Sequence, residues 1–179
     1  MTKIGCGLTF YVCYRGKVAT DRETAGHYMG DLNWDGAMQD LAAGAKFLKS
    51  RGCNKVGVCG FCMGGALSFA AAAAIPQDIS AAAPFYGIPD QTKFDLTKIS
   101  IPVQAHFGAK DELVGFSSKQ DYDKLSEKLK AAGVNYELFE YDAGHAFTNP
   151  LNIIGDNYQA DLAKTAFERM LAFMNTNLA

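Results

Sequence analysis

The chain has 179 residues, of which 49% are hydrophobic and 20% are charged, and its formal net charge is −2. This balance predicts one globular domain over residues 1–179 with a sizeable hydrophobic core. Because no basic run or stripe occurs, nucleic acid is not expected as a partner.

The N-terminal end of the chain does not predict secretion or membrane insertion. Its apolar segment, IGCGLTFYVC, is too short to span a bilayer, and tyrosines, Arg15 and Lys17 follow where a cleavage site needs small residues. The five cysteines are an odd number in a chain long enough to fold without disulfides. We therefore expect a cytoplasmic protein that makes no membrane contact.

Helix-like and strand-like segments alternate along the chain. Helical spacing of apolar residues is found at 34–50, 64–74, 117–132 and about 156–173, where Phe167, Met170 and Leu171 form the apolar face. Short apolar runs typical of strands occupy 54–60, 79–87, 103–108 and 135–142. This alternation predicts an α/β fold with a parallel sheet and helices on both faces. In such sheets active residues gather on loops beyond the carboxyl ends of the strands.

The segment Gly60-Phe61-Cys62-Met63-Gly64 lies between a predicted strand and a predicted helix, and it has the G-x-C-x-G pattern of a nucleophile elbow. A turn this tight strains the nucleophile, so side chains at positions 60 and 64 are expected to clash. The helix N-terminus favours a reactive thiolate at Cys62, and the N–H of Met63 is placed to stabilise an oxyanion. A small cysteine packed at a Gly/Ala-rich helix start is the alternative interpretation.

Two further residues complete a possible triad. Asp111 follows the strand at 103–108, and His145 follows the strand at 135–142. The chain order of nucleophile, acid and histidine is that of an α/β-hydrolase triad, in which His145 serves as base or as imidazolium partner and Asp111 orients its ring. Asp123 and Asp142 are alternative candidates for the acid. The non-catalytic interpretations are that Asp111 is an ordinary turn or helix-capping aspartate and that His145 is an ordinary loop histidine.

Other candidate residues carry weaker signals. Cys59 and Cys62 have the C-x-x-C spacing of a redox pair, but Cys59 is expected to point inward from a buried strand. No second pair is present for zinc. His106 lies inside a strand pattern and is expected in the core.

The motifs GFCMGG, FGAKDELV and YDAGHAF, preceded by YRGKVATDRETAGHYM, resemble the dienelactone hydrolase (carboxymethylenebutenolidase-like) family. The resemblance extends from about Tyr14 to near the C-terminus. It implies an α/β-hydrolase fold and a triad of Cys62, Asp111 and His145. It also implies hydrolysis of dienelactones or related small esters and lactones, with neither a metal nor a cofactor.

The sequence departs from the family pattern in two places. It begins late, so we expect an N-terminally shortened fold without the early strands, the second oxyanion-hole donor and a glutamate that contacts the resting cysteine. The arginine that follows the family's histidine is replaced by Thr148 and Asn149. Arg15 is either an anion-binding residue or a surface arginine, and Tyr86 either lines the pocket or packs in the core.

These departures leave a second functional interpretation. An open sheet edge would favour self-association or a partner chain. The alternative to a cysteine hydrolase is therefore a catalytically silent member of the family that acts as a structural or interaction subunit.

Overall fold

The computed structural model describes residues 22–151 and 157–179. The segment 1–13 and Arg15 therefore lie outside the described residues. The described helices and strands, in chain order, are α1 (Arg22–Gly30), α2 (Trp34–Ser50), β1 (Gly57–Phe61), α3 (Met63–Ala74), β2 (Ala81–Phe85), a single 3-10 turn (Leu96–Lys98), β3 (Val103–Gly108), α4 (Lys119–Ala131), β4 (Tyr136–Tyr141) and α5 (Ala160–Leu178).

The four strands form one parallel sheet, as the sequence predicts, and their order in the sheet is β1-β2-β3-β4. Phe107 of β3 packs on Tyr122 of α4, with ring centroids 4.9 Å apart. His106 is the preceding residue and therefore points to the opposite face. On that face the guanidinium of Arg169, from α5, lies 4.2 Å from the ring centroid of Phe139 in β4. Helices therefore cover both faces of the sheet.

Helix α3 packs unusually close to the strands because its sequence is rich in glycine and alanine. A Cβ added to Gly65 would lie 2.2 Å from the backbone oxygen of Phe85 at the end of β2. Ala66, Ala70, Ala71 and Ala72 are fully buried, and the helix ends at Ala74, two residues before Pro76. This close approach sets the position of the β1–α3 junction relative to β2.

The sequence interpretation of Cys59 is wrong, because its side chain is exposed. β1 is one of the two outer strands of the described sheet and has a neighbour on one side only. On the same face, Gly57 is covered by Met174 of α5, and Phe61 contacts Phe167. Cys59 lies between these two contacts.

The predicted apolar face of the last helix also needs correction. α5 begins at Ala160, and its buried side follows Ala163, Ala166, Met170 and Met174 at helical spacing. Leu171 is outside this stripe and is 55% exposed. None of the helices within residues 22–151 and 157–179 is long and apolar enough to cross a membrane.

Candidate active site

The junction between β1 and α3 is a strained turn centred on Cys62. This residue has φ 54° and ψ −117°, a backbone conformation rarely adopted by residues other than glycine. Its N–H donates to the oxygen of Phe85, and its own carbonyl accepts from Gly65 and Ala66 in the first turn of α3. Met63 is the first residue of that helix, so its N–H has no acceptor within the helix.

Only one of the two predicted elbow glycines is required by its surroundings. A Cβ on Gly60 would lie 2.1 Å from the backbone oxygen of Gly64, as the tight turn predicts. A Cβ on Gly64 would meet nothing within 4 Å, so the expected clash at this position is wrong. The second close approach belongs to Gly65, because the helix contacts the end of β2 one residue later.

The three candidate triad side chains meet at the carboxyl end of the sheet. Nε2 of His145 lies 3.2 Å from Sγ of Cys62, and Nδ1 lies 2.7 Å from Oδ2 of Asp111. Asp111 and His145 are 4% and 5% exposed, respectively. The other oxygen of Asp111 accepts the N–H of Leu113, which fixes the carboxylate. This arrangement matches a nucleophile, a base and an orienting acid.

The two loops that carry Asp111 and His145 are tied together directly after β3 and β4. The N–H of Lys110 donates to the oxygen of Ala143, and a Cβ on Gly108 would lie 2.3 Å from that oxygen. The alternative acids lie elsewhere. Asp142 pairs with Lys110 at the surface, and Asp123 pairs with Lys119 on α4.

The electrostatic environment favours a protonated His145. Burial alone would lower its pKa, but the hydrogen bonds and charges of Asp111 and Cys62 outweigh burial and raise the pKa to about 9. The raised pKa favours the imidazolium form of the ring at neutral pH, next to the sulfur of Cys62. A proton held at Nε2 is available to a leaving group.

Comparison with known proteins identifies the family. The model of the dienelactone hydrolase family matches residues 11–178. The chain belongs to the dienelactone hydrolase family.

Relatives and solved structures agree with this assignment. The chain is 34% identical over 172 residues to Protein usf of Aquifex pyrophilus, covering 92% of this chain and 72% of that protein. It is 31% identical over 173 residues to a candidate carboxymethylenebutenolidase of Aquifex aeolicus, with the same coverage of both. The crystal structure of a candidate dienelactone hydrolase from Klebsiella pneumoniae superposes with a TM-score of 0.72 at 26% identity, covering 85% of this chain and 66% of that one. The fold is that of the α/β-hydrolases.

Tyr86 lies beside His145 in this family member and is 2% exposed. The two ring centroids are 5.1 Å apart in an edge-to-face arrangement, and the Tyr86 hydroxyl is 2.8 Å from Oγ1 of Thr148. Burial, together with the charge of Cys62, raises the pKa of Tyr86 to about 12 despite the bond to Thr148, so the hydroxyl stays neutral. Tyr86 is therefore a buried core residue, and its ring also contacts His145 of the candidate triad.

Backbone strain is concentrated around these residues. Within the described residues, the non-glycine residues with positive φ are Cys62, Tyr86 and Ala146. Each is a triad residue, a contact of His145 or the residue that follows His145. Strain of this kind costs about 1–3 kcal/mol per residue and clusters at functional sites.

A cavity of about 510 Å³ adjoins the candidate site of this dienelactone hydrolase family member. It reaches Met63, next to Cys62, and Phe116, whose ring centroid lies 6.2 Å from that of His145. Met29, Trp34 and Ile88 add further apolar lining. The volume is within the range of small-molecule sites.

The polar lining of the same cavity has more negative than positive charge. It consists of Asp90, Gln91, Asp121 and Lys124 in addition to glycine and proline residues. Asp121 is engaged by the N–H groups of Gly115 and Ser118. No group of three or more His, Cys, Asp or Glu residues within the described ranges is arranged to hold a metal ion.

Sequence reasoning missed Ser117 as part of this site. Ser118 occupies the N-cap of α4, and Oγ of the preceding Ser117 lies 3.1 Å from Nδ1 of His145. No sequence motif marks this contact, because Ser117 and His145 are brought together only by the packing of two loops.

Proposed function

We propose that the chain hydrolyses small esters or lactones through Cys62, Asp111 and His145, with a thioacyl-enzyme intermediate. The observation that carries this proposal is the 3.2 Å contact between Nε2 of His145 and Sγ of a strained Cys62 at the start of α3. Family membership supports hydrolase chemistry of this general kind.

The reaction begins with attack of the Cys62 thiolate on the substrate carbonyl. The N–H of Met63 donates to the oxyanion that forms, and the Nε2 proton of His145 passes to the leaving alcohol oxygen. The C–O bond breaks and leaves an acyl group on sulfur. Water then attacks this thioester while the neutral imidazole accepts its proton. The C–S bond breaks, and the acid leaves with the thiolate and imidazolium restored.

The lining of the 510 Å³ cavity supports an uncharged substrate. Its lining includes several apolar side chains, and two carboxylates outnumber the single ammonium of Lys124 among its charged side chains. A substrate carboxylate would meet net repulsion at this cavity. The presence of Thr148 and Asn149 where the family resemblance implies an arginine supports the same conclusion.

Competitive alkylation tests the proposed nucleophile. Cys59 is exposed and Cys62 is only partly buried, so labelling that depends on exposure would modify Cys59 first. If the triad activates Cys62, limiting iodoacetamide near neutral pH should modify Cys62 well ahead of Cys59, because the thiolate is the nucleophile. Mass spectrometry of the digested chain identifies the order of labelling.

Turnover is measured on the same samples with a neutral p-nitrophenyl ester and with a matched ester that carries a free carboxylate. Loss of turnover in proportion to Cys62 labelling is the expected result, with the neutral ester hydrolysed faster. If Cys59 is labelled first and neither ester is hydrolysed, the hydrolase proposal fails. The interpretation as a silent interaction subunit would then replace it.

A further inference from the structure

Ser117 is a buried polar residue that the mechanism above does not use. It lies in the loop between β3 and α4, and its side chain is 0% exposed. Within the described part of the chain, its hydroxyl oxygen lies within hydrogen-bonding distance of Nδ1 of His145, at 3.1 Å. The neighbouring Ser118 supplies the N-cap of α4, so Ser117 is not needed for capping.

The same ring nitrogen already contacts Asp111. Oδ2 of Asp111 lies 2.7 Å from Nδ1, so two oxygens, one from the carboxylate and one from Ser117, lie within hydrogen-bonding distance of this nitrogen. One acceptor leaves the imidazole free to tilt about the line that joins it to the carboxylate. A second acceptor on a different loop position restricts that tilt.

We propose that Ser117 is a positioning residue whose hydroxyl oxygen is the second acceptor for the Nδ1 proton of His145. In this role it keeps the ring in the tautomer and orientation that direct Nε2 toward Cys62. The catalytic chemistry stays with Cys62 and His145, and Ser117 acts through His145. The expected effect of Ser117 on kcat rests on the proposed hydrolase function, whereas its expected effect on the orientation and pKa of His145 does not.

The other groups around His145 make Ser117 separable by mutation. The titratable groups that face the ring are Cys62, Asp111 and Tyr86, and Phe116 adds an apolar contact. Replacement of Ser117 leaves all of these in place. A change in the titration of His145 in such a variant therefore reports the lost oxygen.

The test compares Ser117→Ala and Ser117→Cys with Ser118→Ala. Alanine removes the acceptor, and cysteine retains a side chain of similar shape but accepts hydrogen bonds only weakly. For both Ser117 variants we expect kcat to fall roughly tenfold with KM little changed, since a misoriented base costs about this much or more. The basic limb of the pH profile should move to lower pH by about 0.5 unit or more, because the imidazolium loses an acceptor.

Ser118→Ala serves as the matched control. It should lower thermal stability through loss of the cap while the pH profile stays as in the unmodified chain. A Ser117→Cys variant with wild-type kcat and pH profile would show that Ser117 only fills space, and the proposal would be overturned. A pH shift in Ser118→Ala as large as that in Ser117→Ala would overturn it as well.

A second readout does not depend on turnover. The chain has three histidines, so the ring signals of His145 can be followed by NMR titration of the full chain and assigned with a His145→Gln variant. Ser117→Ala should lower the pKa of His145. If this shift occurs without any ester hydrolysis, the proposed function fails and the positioning role stands. If esters are hydrolysed and Ser117→Ala changes neither readout, the positioning role fails.

Discussion

The turn at Cys62 shows how single glycines differ in importance at the candidate site. A side chain on Gly60 would collide with the backbone of Gly64, which cannot move without displacing the start of α3. Open space surrounds the position of a Cβ on Gly64 itself. The two glycines of the elbow pattern therefore have unequal structural roles.

This difference gives a prediction at the residue scale. We expect Gly60→Ala to lower the free energy of unfolding by about 3 kcal/mol or more through backbone strain. Gly64→Ala should be neutral or should stabilise the chain by about 0.5–1 kcal/mol, because alanine loses less entropy than glycine in a helix. Urea unfolding of both variants measures the difference. Equal destabilisation by the two substitutions would contradict the geometry of the turn.

The sequence predicts the participants of the candidate site better than their surroundings. Cys62, Asp111 and His145 can be found because each follows a strand, and the ends of parallel strands meet. Gly65 and Ser117 could not be found, since their contacts with Phe85 and His145 join segments distant in the chain. The exposure of Cys59 could not be predicted, because a pattern of apolar residues does not reveal that β1 is an outer strand of the described sheet.

At the scale of elements, α4 illustrates how local chemistry anchors a loop of the site. The side chain of Asp121 accepts hydrogen bonds from the N–H groups of Gly115 and Ser118 and from the Ser118 hydroxyl. It thereby joins the first turn of α4 to the loop that holds Asp111 and Ser117. Asp123, on the same helix, makes only an exposed ion pair with Lys119.

Asp121 and the N-cap residue Ser118 form a capping box. We therefore expect Asp121→Ala to cost about 1–2 kcal/mol of stability, because it removes the carboxylate of this box and the hydrogen bonds that it accepts. Asp123→Ala should cost less than about 0.5 kcal/mol, as exposed pairs do. Urea denaturation at pH 7 compares the two. A larger loss in Asp123→Ala would mean that the capping box does not anchor the loop.

Most elements could be predicted from periodicity, but their ends and one helix could not. β3 has the predicted bounds, and all six of its residues, 103–108, are buried, as expected for a strand covered on both faces. α1 was not predicted, since RETAGHYMG contains little apolar periodicity. The exposed Leu171 lies next to the buried stripe of α5, and apolar spacing alone does not show how wide a stripe the rest of the fold covers.

At the scale of the whole molecule, His106 connects the sheet to α5. It is fully buried, stacks on Phe85 at 4.2 Å, and contacts the hydroxyl of Tyr141 and Oε1 of Gln104. Tyr141 in turn accepts from Arg169. Burial, and secondarily the charge of Arg169, lowers the pKa of His106 to about 3.

This pKa predicts how stability depends on pH. The unfolded chain protonates His106 near pH 6.5 but the folded chain does so only near pH 3, so stability should fall as the pH drops between these values. The slope is at most about 1.4 kcal/mol per pH unit. His145, with its raised pKa, contributes its pH dependence between about 6.5 and 9 instead.

Chemical denaturation of the unmodified chain and of His106→Gln from pH 7 to pH 4 isolates this contribution. The variant is expected to be less stable at pH 7 and to lose less stability on acidification, since the carboxylates titrate alike in both. Parallel pH curves for the two chains would show that His106 does not resist protonation.

The residues of the candidate triad are far apart along the chain: His145 comes 83 positions after Cys62 and 34 positions after Asp111. During synthesis at about 5–20 residues per second, Cys62 is added to the chain roughly 4–17 s before His145. The nascent thiol therefore has ordinary reactivity during this interval. Because β4 must be in place before His145 can reach Cys62, recovery of thiol reactivity during refolding reports completion of the sheet rather than formation of the elbow.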